Sequence, residues 1–156
     1  VKVRDLMTRD VITLNARSPL ISAEEVMGLR RVRHLPCVEE GRFVGLLTHR
    51  DLLRAYLPTS TSVERAIYAS KTRVSEYMHT DVDTIGPDVE LTRAAALMRQ
   101  HKYGCLPVIE GGGRLVGIIT DADFLHLAEV VIETMGELDP SMLETVKARV
   151  EGAGRP

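Results

Sequence analysis

Apolar residues recur along this chain in two rhythms, one helical and one strand-like, and the same succession of rhythms occurs twice. Leu20, Ala23, Val26 and Met27 fall at helical spacing, as do Leu91, Ala94, Ala95, Leu97 and Met98. Ser18-Pro19 reads as an N-cap with proline at the first helical position, and Asp88 as the cap of the second helix. Each helix is followed by a hairpin pattern. Residues 35–38 turn through Glu39-Glu40-Gly41 into residues 43–48, and residues 106–109 turn through Gly111-Gly112-Gly113 into residues 115–120. Short strands are expected at residues 11–14 and 82–85, and a further helix after Thr48 and after Thr120. The unit is β-α-β-β-α, present twice, which makes the chain α/β.

The two copies also align residue by residue. At a spacing of 71, Val3-Arg4-Asp5-Leu6-Met7 faces Val74-Ser75-Glu76-Tyr77-Met78, and Leu35-Pro36 faces Leu106-Pro107. One extra glycine in the second turn moves the spacing to 72, so that Gly45-Leu46-Leu47-Thr48-His49-Arg50-Asp51 faces Gly117-Ile118-Ile119-Thr120-Asp121-Ala122-Asp123. The expected division is repeat 1 over residues 1–57, a linker over 58–73, repeat 2 over 74–128, and a helical extension over 129–156. Pro58 and Thr59-Ser60-Thr61-Ser62 mark the linker, with a short helix over residues 63–69 capped by Ser62. Neither unit can cover its sheet alone, so the copies should pack about a pseudo-twofold axis. In the extension, Leu127, Val130, Val131 and Met135 continue the last helix to a stop at Gly136. Asp139-Pro140 opens another helix carrying Met142, Leu143, Val146 and Val150 on one stripe.

Composition narrows the function. Aromatics are 4% with no Trp, and the net charge is −2, which argues against nucleic-acid binding by stacking or bulk charge. Apolar runs stop near five residues, far short of the roughly 20 of a membrane span, and no apolar leader opens the chain. Two cysteines, Cys37 and Cys105, form no disulfide framework and read as buried small hydrophobes, which fits a reducing cytoplasm. His34, His49, His79, His101 and His126 show no metal-ligand spacing, and no catalytic or dinucleotide motif is present. The chain is expected to be neither an enzyme nor a metal protein.

The sharpest candidate chemistry is Gly45-x-x-Thr48-x-x-Asp51 and its copy Gly117-x-x-Thr120-x-x-Asp123, where a buried strand passes into a helix. A helix start suits a phosphate, threonine adds a donor, and a carboxylate accepts from the paired hydroxyls of a ribose. The same Thr-x-x-Asp spacing is nearly a capping box, with the acid reaching back to its own helix. Spacing alone leaves the two readings level. Charge is uneven, +3 over residues 1–70 and −5 over residues 71–156, and Arg30, Arg31, Arg33, His34, Arg50 and Arg54 gather near the first motif. Guanidinium groups there suit a phosphate; cations at a helix end are the plainer reading. Asp121-x-Asp123 could hold Mg²⁺ through a bound triphosphate, or simply be an acid-rich helix start.

The ordered motifs, twice over, resemble the CBS (cystathionine β-synthase) domain in tandem, the arrangement called a Bateman module. The residues that carry the resemblance are 3–7, 10–14, 33–38 and 45–53, then 74–78, 81–85, 104–109 and 117–125. Lys102-Tyr103-Gly104-Cys105-Leu106-Pro107 is similar to stand-alone CBS pairs linked to acetoin utilisation or related to IMP dehydrogenase. The resemblance implies an adenosine-containing ligand (AMP, ADP, ATP or S-adenosylmethionine, with Mg²⁺ if a triphosphate) bound in clefts between the repeats. Thr48 and Thr120 would meet the phosphate, Asp51 and Asp123 the ribose, and Thr13 and Thr84 the base and phosphate. Arg33, His34, Leu35, Pro36 and Arg50 of the first copy, and Cys105, Leu106 and Pro107 of the second, would line the clefts. The copies differ in having Gly104 where the first has Arg33, and Cys105 where it has His34. The implied protein is a cytoplasmic sensor acting on an unknown regulated partner. CBS pairs usually associate through their helices, so a homodimer is expected, with Val130, Val131, Met142, Leu143 or Val146 buried across it or against the chain's own repeats. The alternative is a ligand-free structural dimerisation module.

Overall fold

A computed structural model describes residues 1–136 and 140–152 of the chain. Its first helical turn is α1 (Val3–Leu6), followed by β1 (Leu14–Asn15), α2 (Leu20–Arg30), β2 (His34–Glu39), β3 (Arg42–Thr48) and α3 (His49–Ala55). A linker helix α4 (Ser62–Lys71) and a 3-10 turn (Val74–Glu76) lead into the second copy. That copy consists of α5 (Leu91–His101), β4 (Cys105–Glu110), β5 (Arg114–Thr120) and α6 (Asp121–Gly136), and α7 (Pro140–Gly152) follows it.

Both hairpins form at the expected places, and they join into one mixed sheet of order β1-β2-β3-β5-β4. Their registers are the same. Cys37 faces Gly45 and Leu35 faces Leu47, as Val108 faces Gly117 and Leu106 faces Ile119, and each hairpin has an irregularity at the next pair. The expected strands at residues 11–14 and 82–85 are much shorter. Only Leu14–Asn15 pairs with β2, and Ile85 makes a single parallel bridge to Val108. Val11 and Val82 instead pack with Leu46, Cys105, Ile118 and Phe43 between the repeats. Their apolar character reflects that burial and not a ladder.

The helix starts also differ from the sequence reading. Neither Ser18 nor Asp88 is the cap: α2 begins after Pro19 and α5 after Glu90, with no side-chain cap at either. The first amides are satisfied by the segment that leads into the other repeat. Leu20 N–H donates to Thr72 O and Leu91 N–H to Val1 O, both at 2.9 Å. Asp88 pairs with Lys2 and Arg4 instead. In the linker, Thr61 and not Ser62 caps α4, in a reciprocal box with Glu64.

Two cores result, and each recruits residues from the other copy. The first holds Leu20, Met27, Leu35, Leu47 and Leu52, closed by Val74, Tyr77 and Met78. The second holds Leu91, Met98, Leu106, Val108 and Ile119, closed by Val3, Leu6 and Met7. The glycines of the two β strands admit this exchange. A Cβ on Gly45 would lie 2.8 Å from His79 O, and one on Gly117 would lie 3.1 Å from Thr8 O and closer still to Met7 Sδ.

The apolar stripe of the extension is not buried against the chain's own repeats, which corrects one of the two expected locations. Val130, Val131, Met142, Leu143 and Val146 are each about half exposed on α6 and α7, which touch each other and leave these side chains uncovered. Asp139, expected to open α7, lies outside the described residues.

Candidate functional site

At the first strand-to-helix turn, Thr48 ends β3 and Asp51 sits one turn into α3. The Thr48 amide and hydroxyl both donate to Asp51 Oδ2, at 2.9 and 2.7 Å, and the Asp51 amide returns a 3.3 Å bond to Thr48 Oγ1. The second turn repeats the two bonds to the carboxylate: the Thr120 amide and hydroxyl donate to Asp123 Oδ2 at 2.7 and 2.8 Å. Both carboxylates therefore make the capping bonds that their spacing allowed. A cap made through one oxygen leaves the other for something else, and α3, at seven residues, offers a weaker dipole than the sixteen-residue α6.

The remaining oxygens differ. Asp51 is 3% exposed, and its Oδ1 meets His79 Nε2 at 2.9 Å. Burial pushes its carboxyl up, but the bonds from the Thr48 hydroxyl, the Thr48 amide and His79 more than offset this and hold it below the ordinary value. Asp123 is half-buried, and its Oδ1 has no partner among the described residues.

A cleft of about 640 Å³ opens between the repeats beside the first turn. Its walls carry Arg33, His34, Thr48, Arg50 and Cys105 from the sequence-derived set. His34 stands directly opposite Thr48 across the hairpin, as Cys105 stands opposite Thr120. The cleft also takes in Asp121, weighed above for Mg²⁺, and residues outside the sequence-derived set: His49, His79, Asp81, Asp83, Lys102 and Tyr103. The hydroxyl of Tyr103 donates to Asp83 at 2.6 Å, and its ring stacks on His101. Burial lowers the His34 imidazole pKa, assisted by neighbouring Arg33 and opposed by Asp121. Burial raises the thiols of Cys37 to about 11 and Cys105 to about 12, so neither is a nucleophile at neutral pH.

Other candidates lie elsewhere. Thr13 and Thr84 are exposed, Thr120 and Asp123 are half-buried, and all four, like the buried Asp51, lie outside the walls of this cleft. The side chains of Leu35, Pro36, Leu106 and Pro107 are fully buried, Leu35 and Leu106 in the two cores. None of the four is on the walls of this cleft, which corrects their expected place there. Of the six cations near the first motif, Arg30, Arg31 and Arg54 do not line the cleft.

The CBS domain model matches residues 3–58 and again residues 74–129. This chain belongs to the CBS domain family. As a CBS pair it resembles a crystal structure of a Vibrio cholerae protein named for acetoin utilization, with TM-score 0.74, 39% identity, and coverage of 90% of this chain and 98% of that one. A CBS domain-containing protein of Dictyostelium discoideum is 33% identical over 138 residues, 85% of this chain and 94% of its own length. The CBS pair of protein MJ0100, crystallised with 5′-methylthioadenosine and S-adenosyl-L-methionine, superposes with TM-score 0.68 at 25% identity, covering 83% of this chain and 96% of that one. The chain also matches larger enzymes over a small part of their length, spanning 22% of the inosine-5′-monophosphate dehydrogenase of Thermoplasma acidophilum. No helix among the described residues is long and apolar enough to cross a membrane.

Proposed function

We propose that this CBS pair is a regulatory module that binds an adenine ribonucleotide, or an S-adenosylmethionine-like ligand, between its repeats and is not itself a catalyst. The observation that carries the reading is the cleft between the repeats, where Arg33, His34, His49, Arg50 and Lys102 gather beside the Thr48–Asp51 turn. Adenosine compounds bound to the MJ0100 pair support the ligand class. Thr48 and Thr120 would turn their hydroxyl protons from Asp51 and Asp123 to a phosphate, with Arg33 and Arg50 adding charge-assisted bonds. Asp51 and Asp123 would accept from ribose hydroxyls through the oxygen not used in capping, with Thr13 and Thr84 nearer the base. Mg²⁺ would accompany only a triphosphate. The regulatory unit is residues 1–128, with the helical extension as its contact to a second copy, in the cytoplasm.

The test is the melting temperature and calorimetric titration with AMP, ADP, ATP and S-adenosylmethionine. A ligand at 100 times its Kd adds about 2.7 kcal/mol, a shift of several degrees. A second reading is favoured by the bonds that both carboxylates take from their threonines: a structural dimerisation module in which the two carboxylates serve only their helices. Under that reading none of the four ligands shifts the transition at millimolar concentration.

A further inference from the structure

His79 and Thr8 occupy the same place in the two repeats. Each follows the methionine that crosses the other repeat's strand, and each makes a paired backbone bridge there: His79 with Leu46 (2.9 and 2.9 Å), Thr8 with Ile118 (2.9 and 3.0 Å). Their side chains treat the adjacent carboxylate differently. The imidazole of His79 takes Asp51 Oδ1, completing that buried group's hydrogen bonds from within the protein. Thr8 makes no side-chain bond to Asp123, whose Oδ1 has no partner among the described residues.

A sugar diol binds best to a carboxylate oxygen that is accessible and has both lone pairs free. At Asp51 it would have to displace a charge-assisted bond and then fit a nearly buried group; at Asp123 it would meet an oxygen with nothing to displace. The His79 backbone is pinned to β3 on both its amide and its carbonyl, so only the side chain can yield. That side chain is 54% exposed, which gives it room to swing into solvent.

We propose that His79 is a latch on the first carboxylate, a positioning residue that makes the two strand-to-helix turns unequal toward a ribose, so that Asp123 alone distinguishes a ribonucleotide from its deoxy analogues. The inference deepens the nucleotide reading above and rests on it. The cleft beside the first turn, with its arginines, then takes a phosphorylated ligand with little regard for the sugar hydroxyls.

The experiment is calorimetry of the full chain with AMP, 2′-deoxy-AMP and 3′-deoxy-AMP. The intact protein should prefer AMP by at least about tenfold, the loss expected for one charge-assisted bond. Asp123→Ala should remove that preference while His79 stays in place. Adding His79→Thr to Asp123→Ala, so that the first turn carries the second turn's residue, should bring the preference back. Thr8→His alone should weaken it. Melting curves establish that each variant folds, and the AMP-to-deoxy ratio is a readout that a merely structural histidine would not move. Persistence of the preference in Asp123→Ala, or its failure to return with His79→Thr, overturns the latch while leaving nucleotide binding intact. Absence of AMP binding by every protein, the intact one included, overturns the nucleotide reading and the latch with it.

Discussion

The imidazole of His34 fills the space that a side chain at position 104 would need: a Cβ on Gly104 would lie 2.9 Å from His34 Nε2 and 3.0 Å from Cε1. The aligned position in the first copy is Arg33, so the repeats are complementary here, one giving up the volume that the other uses. The obstructing atoms are the far end of a side chain on the cleft wall. Gly104→Ala is therefore expected to turn His34 at a stability loss of about 1 kcal/mol, the low end of the cost of overpacking. Its larger effect should be on ligand affinity. Chemical denaturation and calorimetry on the same variant check both halves.

The two strand glycines should behave differently. At Gly45 an added Cβ meets the His79 carbonyl at 2.8 Å, and that carbonyl is tied to Leu46. Gly45→Ala and Gly117→Ala should each cost about 1–3 kcal/mol, because backbone cannot rotate away as a ring can. A shift in the urea midpoint with an unchanged m-value measures it.

Two groups give the chain a stability that falls with acid. Asp51 is held below the ordinary carboxyl range in the folded state, so its contribution is complete above the unfolded value and is lost as pH drops through the folded one. Asp51→Asn should cost about 1–3 kcal/mol at pH 7, and the gap to the natural protein should narrow progressively as the pH falls below about 4. His34 is lowered from 6.5. The folded state therefore resists its protonation, and stability declines as pH falls through 6.5 toward the folded value. His34→Gln should flatten that part of the curve. Melting temperatures across pH 3–8 separate the two windows.

Assembly is the fourth expectation. Val130, Val131, Met142, Leu143 and Val146 stay about half exposed in the single chain, and a second copy of α6 and α7 is the proposed cover. Sedimentation at tens of micromolar should give a dimer, and Val131→Asp with Val146→Asp should give a monomer. A monomeric natural chain at that concentration would count against the interface.

What could be read from the sequence was what depends on neighbours in the chain. The hairpins ending at Thr48 and Thr120 follow from a local apolar run, a turn and a glycine, and they form where expected. The Thr-x-x-Asp spacing allowed a cap or a ribose acceptor, and the geometry shows a cap at one oxygen without deciding the use of the other. Ser18 and Asp88 were misread as caps because the groups that satisfy α2 and α5 are Thr72 O and Val1 O, distant in sequence. His79 was passed over for the same reason. Nothing near residue 79 marks it as the partner of Asp51; only the alignment of the copies, with Gly45 as the point of close approach, brings them together.

The exchange of Val3–Met7 for Val74–Met78 between the cores sets an order of completion during synthesis. Residues 3–7 reach their final partners only after Leu106 and Ile119 have emerged, more than 100 residues later. Until then they are an apolar segment without a home. The first hairpin and α2 can assemble meanwhile, but their core stays open on one side until Val74 and Met78 arrive. A cut in the linker after both halves have closed would leave two fragments still clasped to each other, each holding a piece of its neighbour. Either repeat made alone would lack the segment that shuts it.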